Sequence, residues 1–248
     1  MKIFSHLQSG NGIHILLLLL FLSTGGSEPY GATGSDSTSL RKIKDCKPVV
    51  LTRYLQIFYP IENNEYSITI CADVPVNNKP ACVFKKGEPG HVFIILSKGD
   101  PSSPAFLTRS FGFYPKLPVS CLLKKGKSKI TDNSSREYDA ALQRQLTPSE
   151  FALVLNKCIE LAKKKYHLKK YNCYDYVLEV FNAIPGIEKL PVTYVKFPFF
   201  LGKGGSPCGL YKDLKKLQAD GSAWLPAIKF GSFKSPPNYQ PETFMAAY

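Results

Sequence analysis

Gly90-His91-Val92-Phe93-Ile94-Ile95-Leu96 is a run of strand length whose apolar residues are consecutive rather than alternating. A strand that is apolar on both faces belongs in the middle of a sheet, so this run predicts a central strand with neighbours on both edges. His91 stands at its first position, after Gly90, which gives the backbone room to turn into it. Gly99-Asp100-Pro101-Ser102-Ser103-Pro104 is a turn, and Ala105 to Phe113 reads as the returning strand of an antiparallel hairpin.

Outward from this hairpin the pattern is mixed. Val49-Val50-Leu51 through Tyr59, and Tyr66 to Cys71, are rich in β-branched and aromatic residues, and Ile61-Glu62-Asn63-Asn64 supplies a turn between them, which predicts an earlier hairpin. Tyr138 to Leu146 alternates and reads as a further strand. Thr147-Pro148-Ser149-Glu150 is a capping box with proline at the first helical position. The helix it opens presents Phe151, Val154, Leu155, Cys158, Leu161 and Ala162 on one side and runs out near Lys165. A second helix begins at Asn172-Cys173, carries the stripe Tyr174, Val177, Leu178 and Phe181, and stops at Pro185-Gly186. An amphipathic stretch follows from Leu210 to Leu217, with an apolar tail around Trp224. The expected class is α+β, an antiparallel sheet packed against helices.

Met1 to Gly26 has a short charged start, an apolar run too short to span a bilayer and small residues at its end, the pattern of a secretory signal peptide. An uncleaved anchor is the competing reading. Residues 27–45 are Gly, Ser, Thr and charge and read as a flexible lead-in, leaving 46–248 as one domain. The expected location is secreted or periplasmic, with no stable membrane insertion. Export lets the seven cysteines pair, and the odd number leaves one spare. Cys71 and Cys82 flank a Pro/Asn-rich turn and are the best local pair; burial as reduced thiols is the alternative for the others, Cys158 in particular. A net charge of +13 suits an anionic cell-envelope polymer or a peptide substrate. The lysines are scattered and form no nucleic-acid-binding motif, so nucleic acid is set aside.

Cys173 is where chemistry is expected. The unpaired N–H groups and dipole of a helix N-terminus favour thiolate and lower the pKa of a cysteine there. The base must be histidine; His6 and His14 lie in the leader, which leaves His91 and His167 of the four. His167 sits among lysines and tyrosines and reads as solvated, and Asp175 as an N-terminal carboxylate that helps to cap the helix. No zinc spacing, phosphate-cradling glycine loop or Gly-x-Ser-x-Gly elbow is present, and no cofactor is expected. Asn133-Ser134-Ser135 is a glycosylation sequon, usable in a eukaryotic host.

Gly90-His91 with its apolar strand, followed by Asn172-Cys173 with Asp175, resembles the circularly permuted branch of the NlpC-like papain-fold cysteine hydrolases, exported bacterial type, a branch that includes the lecithin:retinol acyltransferase-like proteins. Phe111-Gly112-Phe113-Tyr114-Pro115, Tyr138-Asp139 and Tyr171-Asn172-Cys173 extend the likeness, which covers about Gly90 to Leu190. The resemblance implies a permuted papain-like core over 88–190, the histidine sheet preceding the cysteine helix. It implies Cys173 as nucleophile, His91 as general base and a polar residue on the next strand to orient the imidazole; Ser110 is the candidate, with Thr108 on its face. The helix start at Asn172 and Cys173, and the Cys173 N–H in particular, would serve the oxyanion. Hydrolysis of an amide, with cell-wall peptide as default substrate, is the implied activity. Acyl transfer or lipid hydrolysis on the same fold, and a non-catalytic secreted binding protein, are the competitors. A structural role for His91 and a disulfide at Cys173 are the competing readings of the two residues.

Overall fold

The run at Gly90 becomes the middle strand of a seven-stranded antiparallel sheet. The computed structural model describes residues 47–238, other than 63, 86–87, 118–120, 122–123, 187 and 199–200. The leader, the lead-in and Cys46 lie outside the described residues. The strands are β1 (Pro48–Val49), β2 (Tyr66–Asp73), β3 (His91–Lys98), β4 (Leu107–Pro115), β5 (Ser128–Asp132), β6 (Glu137–Leu146) and β9 (Ile228–Lys234), and a two-stranded ribbon is made by β7 (Tyr194–Lys196) and β8 (Lys203–Gly205). The main sheet runs in the order β1-β5-β4-β3-β2-β6-β9, with every neighbouring pair antiparallel. The expected α+β class and central position of β3 are therefore what the chain adopts.

The early hairpin does not form. After two residues of β1 the chain turns into α1 (Leu51–Leu55) and a 3₁₀ turn over Gln56–Phe58, and β1 pairs with β5 rather than β2. Leu51, Leu55 and Phe58 recur at helical spacing and are buried together, so the 3.6-residue period overrides the β propensity of the valines and tyrosines.

Three further helices pack on one face: α2 (Pro148–Leu161), α3 (Cys173–Asn182) and α4 (Pro207–Ala219). Both halves of the Thr147/Glu150 capping box are present at the start of α2. Phe151, Val154, Leu155, Cys158 and Leu161 of α2 and Val177, Leu178 and Phe181 of α3 meet Ile68, Ile70, Val92, Ile94, Leu96, Phe111 and Phe113 of the sheet in the main core. Each fully buried Leu, Ile or Phe contributes about 1.5–3 kcal/mol through apolar surface removed from water. Strand alternation sends Cys71, Phe93, Ile95 and Ala141 to the other face, where Tyr138 covers them in a smaller cluster. All of these residues belong to one compact unit, Leu40–Tyr248. No helix among the described residues is long and apolar enough to cross a membrane.

Candidate active site at the head of the central strand

The start of α3 is fixed by Asn172. Its Oδ1 accepts from the Tyr174 N–H at 2.8 Å, its Nδ2 donates to the carbonyls of Leu168 and Gly205 at 2.6 and 2.8 Å, and its own N–H donates to Asp175 Oδ2 at 2.9 Å. Asp175 is thus a capping residue, as its position predicts. The Asn172 amide is wholly engaged in building the helix start, and its side chain offers no free donor to an oxyanion.

Cys173 takes the first helical position and is 6% exposed. Its sulfur is favoured in ionised form by the backbone N–H groups of Val92 and Tyr174 and by the Arg136 guanidinium, and the Tyr166 phenol neighbours it. Burial nevertheless dominates and, with a smaller contribution from the Asp175 charge, pushes the thiol up to about 11. The lowered pKa expected from the helix dipole is reversed, because desolvation of a buried thiolate outweighs a few oriented N–H groups.

His91 is paired with Asp73 across β2 and is 4% exposed. Being one residue out of phase with Val92 and Ile94, it lies on the face opposite the helices. Its ring stacks on Tyr114 at 4.1 Å and runs parallel to Phe93 at 6.2 Å. Burial, with a smaller contribution from Arg136, holds the imidazole well below the usual histidine range, so it is neutral. Nε2 has no hydrogen-bond partner. The thiol and the imidazole are therefore brought to the same end of β3, the thiol beside Val92 and the ring on the far side of the strand, without a hydrogen bond from Nε2 to sulfur.

Ser110 does not face His91. The β3–β4 turn is longer than the Gly99–Pro104 segment suggests: Lys98 pairs with Leu107 and Ser110 with Ile95. That places Ser110 four residues along the strand from His91, roughly 13 Å away. Its carbonyl accepts from Tyr54 Oη at 3.0 Å and from the Asn133 N–H at 2.8 Å, and its buried Oγ has no partner. Thr108 pairs with Ser97, farther still.

The residue the sequence reading missed is Asn133. It follows β5, is 1% exposed and donates from Nδ2 to Tyr114 Oη at 2.7 Å. Its Oδ1 is buried without a partner, as is His91 Nε2. Arg136 completes the surround, donating to Tyr114 Oη at 3.1 Å and to Asp73 Oδ2 at 2.7 Å. The only sequence signal at Asn133 was the sequon, and its burial removes the side chain from the surface that glycosylation needs. His167 is also buried, at 4% exposed, and its Nδ1 accepts from the Lys169 N–H at 3.1 Å, so it serves a turn rather than solvent.

The six described cysteines are free thiols, Cys71 buried within the outer-face cluster and Cys82 half-buried in the β2–β3 connection. No group of side chains among the described residues could hold a metal ion. No family model matches the chain, and neither a curated protein nor a solved structure matches it.

Proposed function

We propose that the chain is an exported cysteine hydrolase with a permuted papain-like arrangement, attacking an amide bond with Cys173 and using His91 as base and acid. The observation that carries this reading is the position of the Cys173 sulfur at the first residue of α3, beside the Val92 N–H and so beside the peptide that joins His91 to Val92. In the resting protein both groups are neutral. Catalysis on this reading begins when the imidazole leaves its stack on Tyr114 and the backbone at the head of β3 shifts with it, bringing the ring within reach of the sulfur to take the thiol proton as the sulfur attacks the carbonyl. The imidazolium then protonates the leaving amine, and water, deprotonated by the same ring, hydrolyses the thioester. Backbone N–H groups at the start of α3 would receive the oxyanion. A net charge of +13 favours an anionic substrate polymer, and cell-wall peptide is the default.

The test is release of amine from peptidoglycan fragments. Cys173→Ala should abolish it while circular dichroism and melting temperature stay as in the parent; undiminished amidase activity in that variant would sink the proposal. A second reading has its own observation: His91 Nε2 faces Asn133 rather than sulfur, which fits a protein that binds such a polymer without cleaving it. Polymer binding unchanged by Cys173→Ala, with no turnover in the parent, selects this reading.

A further inference from the structure

Two thiols approach each other where the loop that leads into His91 meets α4. The β2–β3 connection runs from Val74 to Gly90 and carries Cys82, half-buried; Cys208 sits in the first turn of α4, fully buried. Cys208 Sγ donates to the carbonyl oxygen of Cys82 at 3.5 Å. Two bond lengths separate that oxygen from the Cys82 α-carbon, so the Cys208 sulfur is within about 6 Å of it. We propose that Cys82 and Cys208 form a disulfide in an oxidising compartment, stapling the β2–β3 loop to the first turn of α4.

Three observations make this pair fit. The loop is already docked on the helix, since Tyr211 Oη of α4 donates to Asn78 Oδ1 at 3.3 Å, so closing the bond requires little movement of either element. A disulfide needs Cα atoms about 4.4–6.8 Å apart, a separation set by the backbone of the loop, while rotation about the two χ1 bonds turns the sulfurs toward each other. The interactions given up are weak: the Cys208 thiol bond to Cys82 O, and the Cys82 thiol bond to Phe84 O at 3.4 Å. Cys71, the partner expected from sequence, is less suitable, because it is wholly buried on β2 in the outer-face cluster while Cys208 lies in the main core.

The chemistry balances with a small-molecule disulfide such as oxidised glutathione. The more exposed Cys82 loses its proton and attacks one sulfur of the oxidant, releasing one glutathione thiolate and leaving a mixed disulfide. Cys208 then loses its proton and attacks the Cys82 sulfur, releasing the second thiolate. The two protein thiols give up two electrons and two protons, and the oxidant becomes two molecules of glutathione.

The bond would hold the segment that ends at Gly90. A side chain on Gly90 would stand 2.9 Å from Pro207 Cγ and 2.3 Å from the Asp73 carbonyl, so this glycine is where loop, helix α4 and strand β2 close on the residue before His91. The staple therefore restricts the hinge of the imidazole's strand, whatever reaction that imidazole serves.

The test uses the full chain in a defined glutathione redox buffer, with free thiols trapped by N-ethylmaleimide and non-reducing peptide mapping by mass spectrometry. The expected result is a peptide linking Cys82 to Cys208, lost in Cys82→Ser and in Cys208→Ser. Finding both residues alkylated while other cysteines pair, or Cys82 joined to any residue other than Cys208, would overturn the inference. So would a stable glutathione adduct on Cys82 with Cys208 still reduced. None of these outcomes depends on hydrolytic activity, so failure here leaves the proposed hydrolase untouched, and the reverse holds.

Discussion

His91 Nε2 and Asn133 Oδ1 face the same small space above Gly112. A methyl group on that glycine would lie 2.2 Å from the nitrogen and 2.7 Å from the oxygen, and neither atom has a hydrogen-bond partner. Because Asn133 Nδ2 is committed to Tyr114, the end that faces the imidazole is an acceptor, matched by a neutral ring protonated at Nε2.

Gly112→Ala fills that space. The new methyl must displace the imidazole or the Asn133 amide, and overpacking of this kind costs about 1–3 kcal/mol. The melting temperature should fall accordingly, and the His91 ring resonances should shift by NMR. A melting temperature equal to the parent's would show that the space is open.

The thiol of Cys173, pushed up to about 11 by burial, should be alkylated slowly by iodoacetamide at neutral pH in the native protein. The rate should climb about tenfold per pH unit on approach to that value, since thiolate is the reacting species. Rapid labelling of Cys173 at pH 7, located by peptide mass, would contradict the buried neutral thiol.

Acid should weaken the fold through His91. Its imidazole is held below the ordinary value of about 6.5, so the unfolded chain takes up a proton that the folded chain refuses. Stability is full above that value and falls as pH drops below it, by up to about 1.4 kcal/mol per pH unit. His167, also lowered by burial, acts in the same direction. Asp175 and Asp213, raised by burial, act the other way at lower pH. Urea midpoints compared between about pH 7.5 and 5.5 should fall in the parent and fall less in His91→Phe, which keeps an aromatic stack on Tyr114. Equal slopes in both proteins would remove His91 as the cause.

Asn172→Ala strips α3 of its cap and removes the side-chain bonds to the Tyr174 N–H and to the carbonyls of Leu168 and Gly205. The combined loss of cap and buried hydrogen bonds should cost about 2–4 kcal/mol. Equilibrium unfolding reads this directly, and a cost below about 0.5 kcal/mol, typical of an exposed site, would show that the amide is not buried as described.

The elements that sequence disclosed are those with one dominant local signal. β3 was legible because seven residues from Gly90 to Leu96 admit no polar face. α2 was legible because Thr147, Pro148 and Glu150 are each suited to one helix-start position. α1 was hidden because its buried residues, Leu51 and Leu55, sit among valines and tyrosines that favour strands, and because five residues are too few for a periodicity to show. Around the candidate site, Cys173 and Asn172 could be placed on the helix start from local sequence. Ser110 failed because register depends on where the β3–β4 turn is centred: Ser110 opposite His91 needs a centre two residues earlier than the Lys98–Leu107 pair fixes, and each residue of that shift moves the partner by two. Asn133 was invisible as a neighbour of His91, because the two are joined only through β4 and β5 and through the missing side chain of Gly112.

The two ends of the sheet carry a separate consequence, for how molecules of this chain meet one another. A β-sheet margin with free N–H and C=O groups invites another strand to add to it. Here one margin is β1, only two residues long and beginning with Pro48, which has no N–H to offer. The other is β9, whose Lys229 and Lys234 are exposed and whose backbone is interrupted by Gly231. A second copy approaching either margin would find too few donors or would bring lysine against lysine. Among the described residues, both margins therefore disfavour the addition of a further strand.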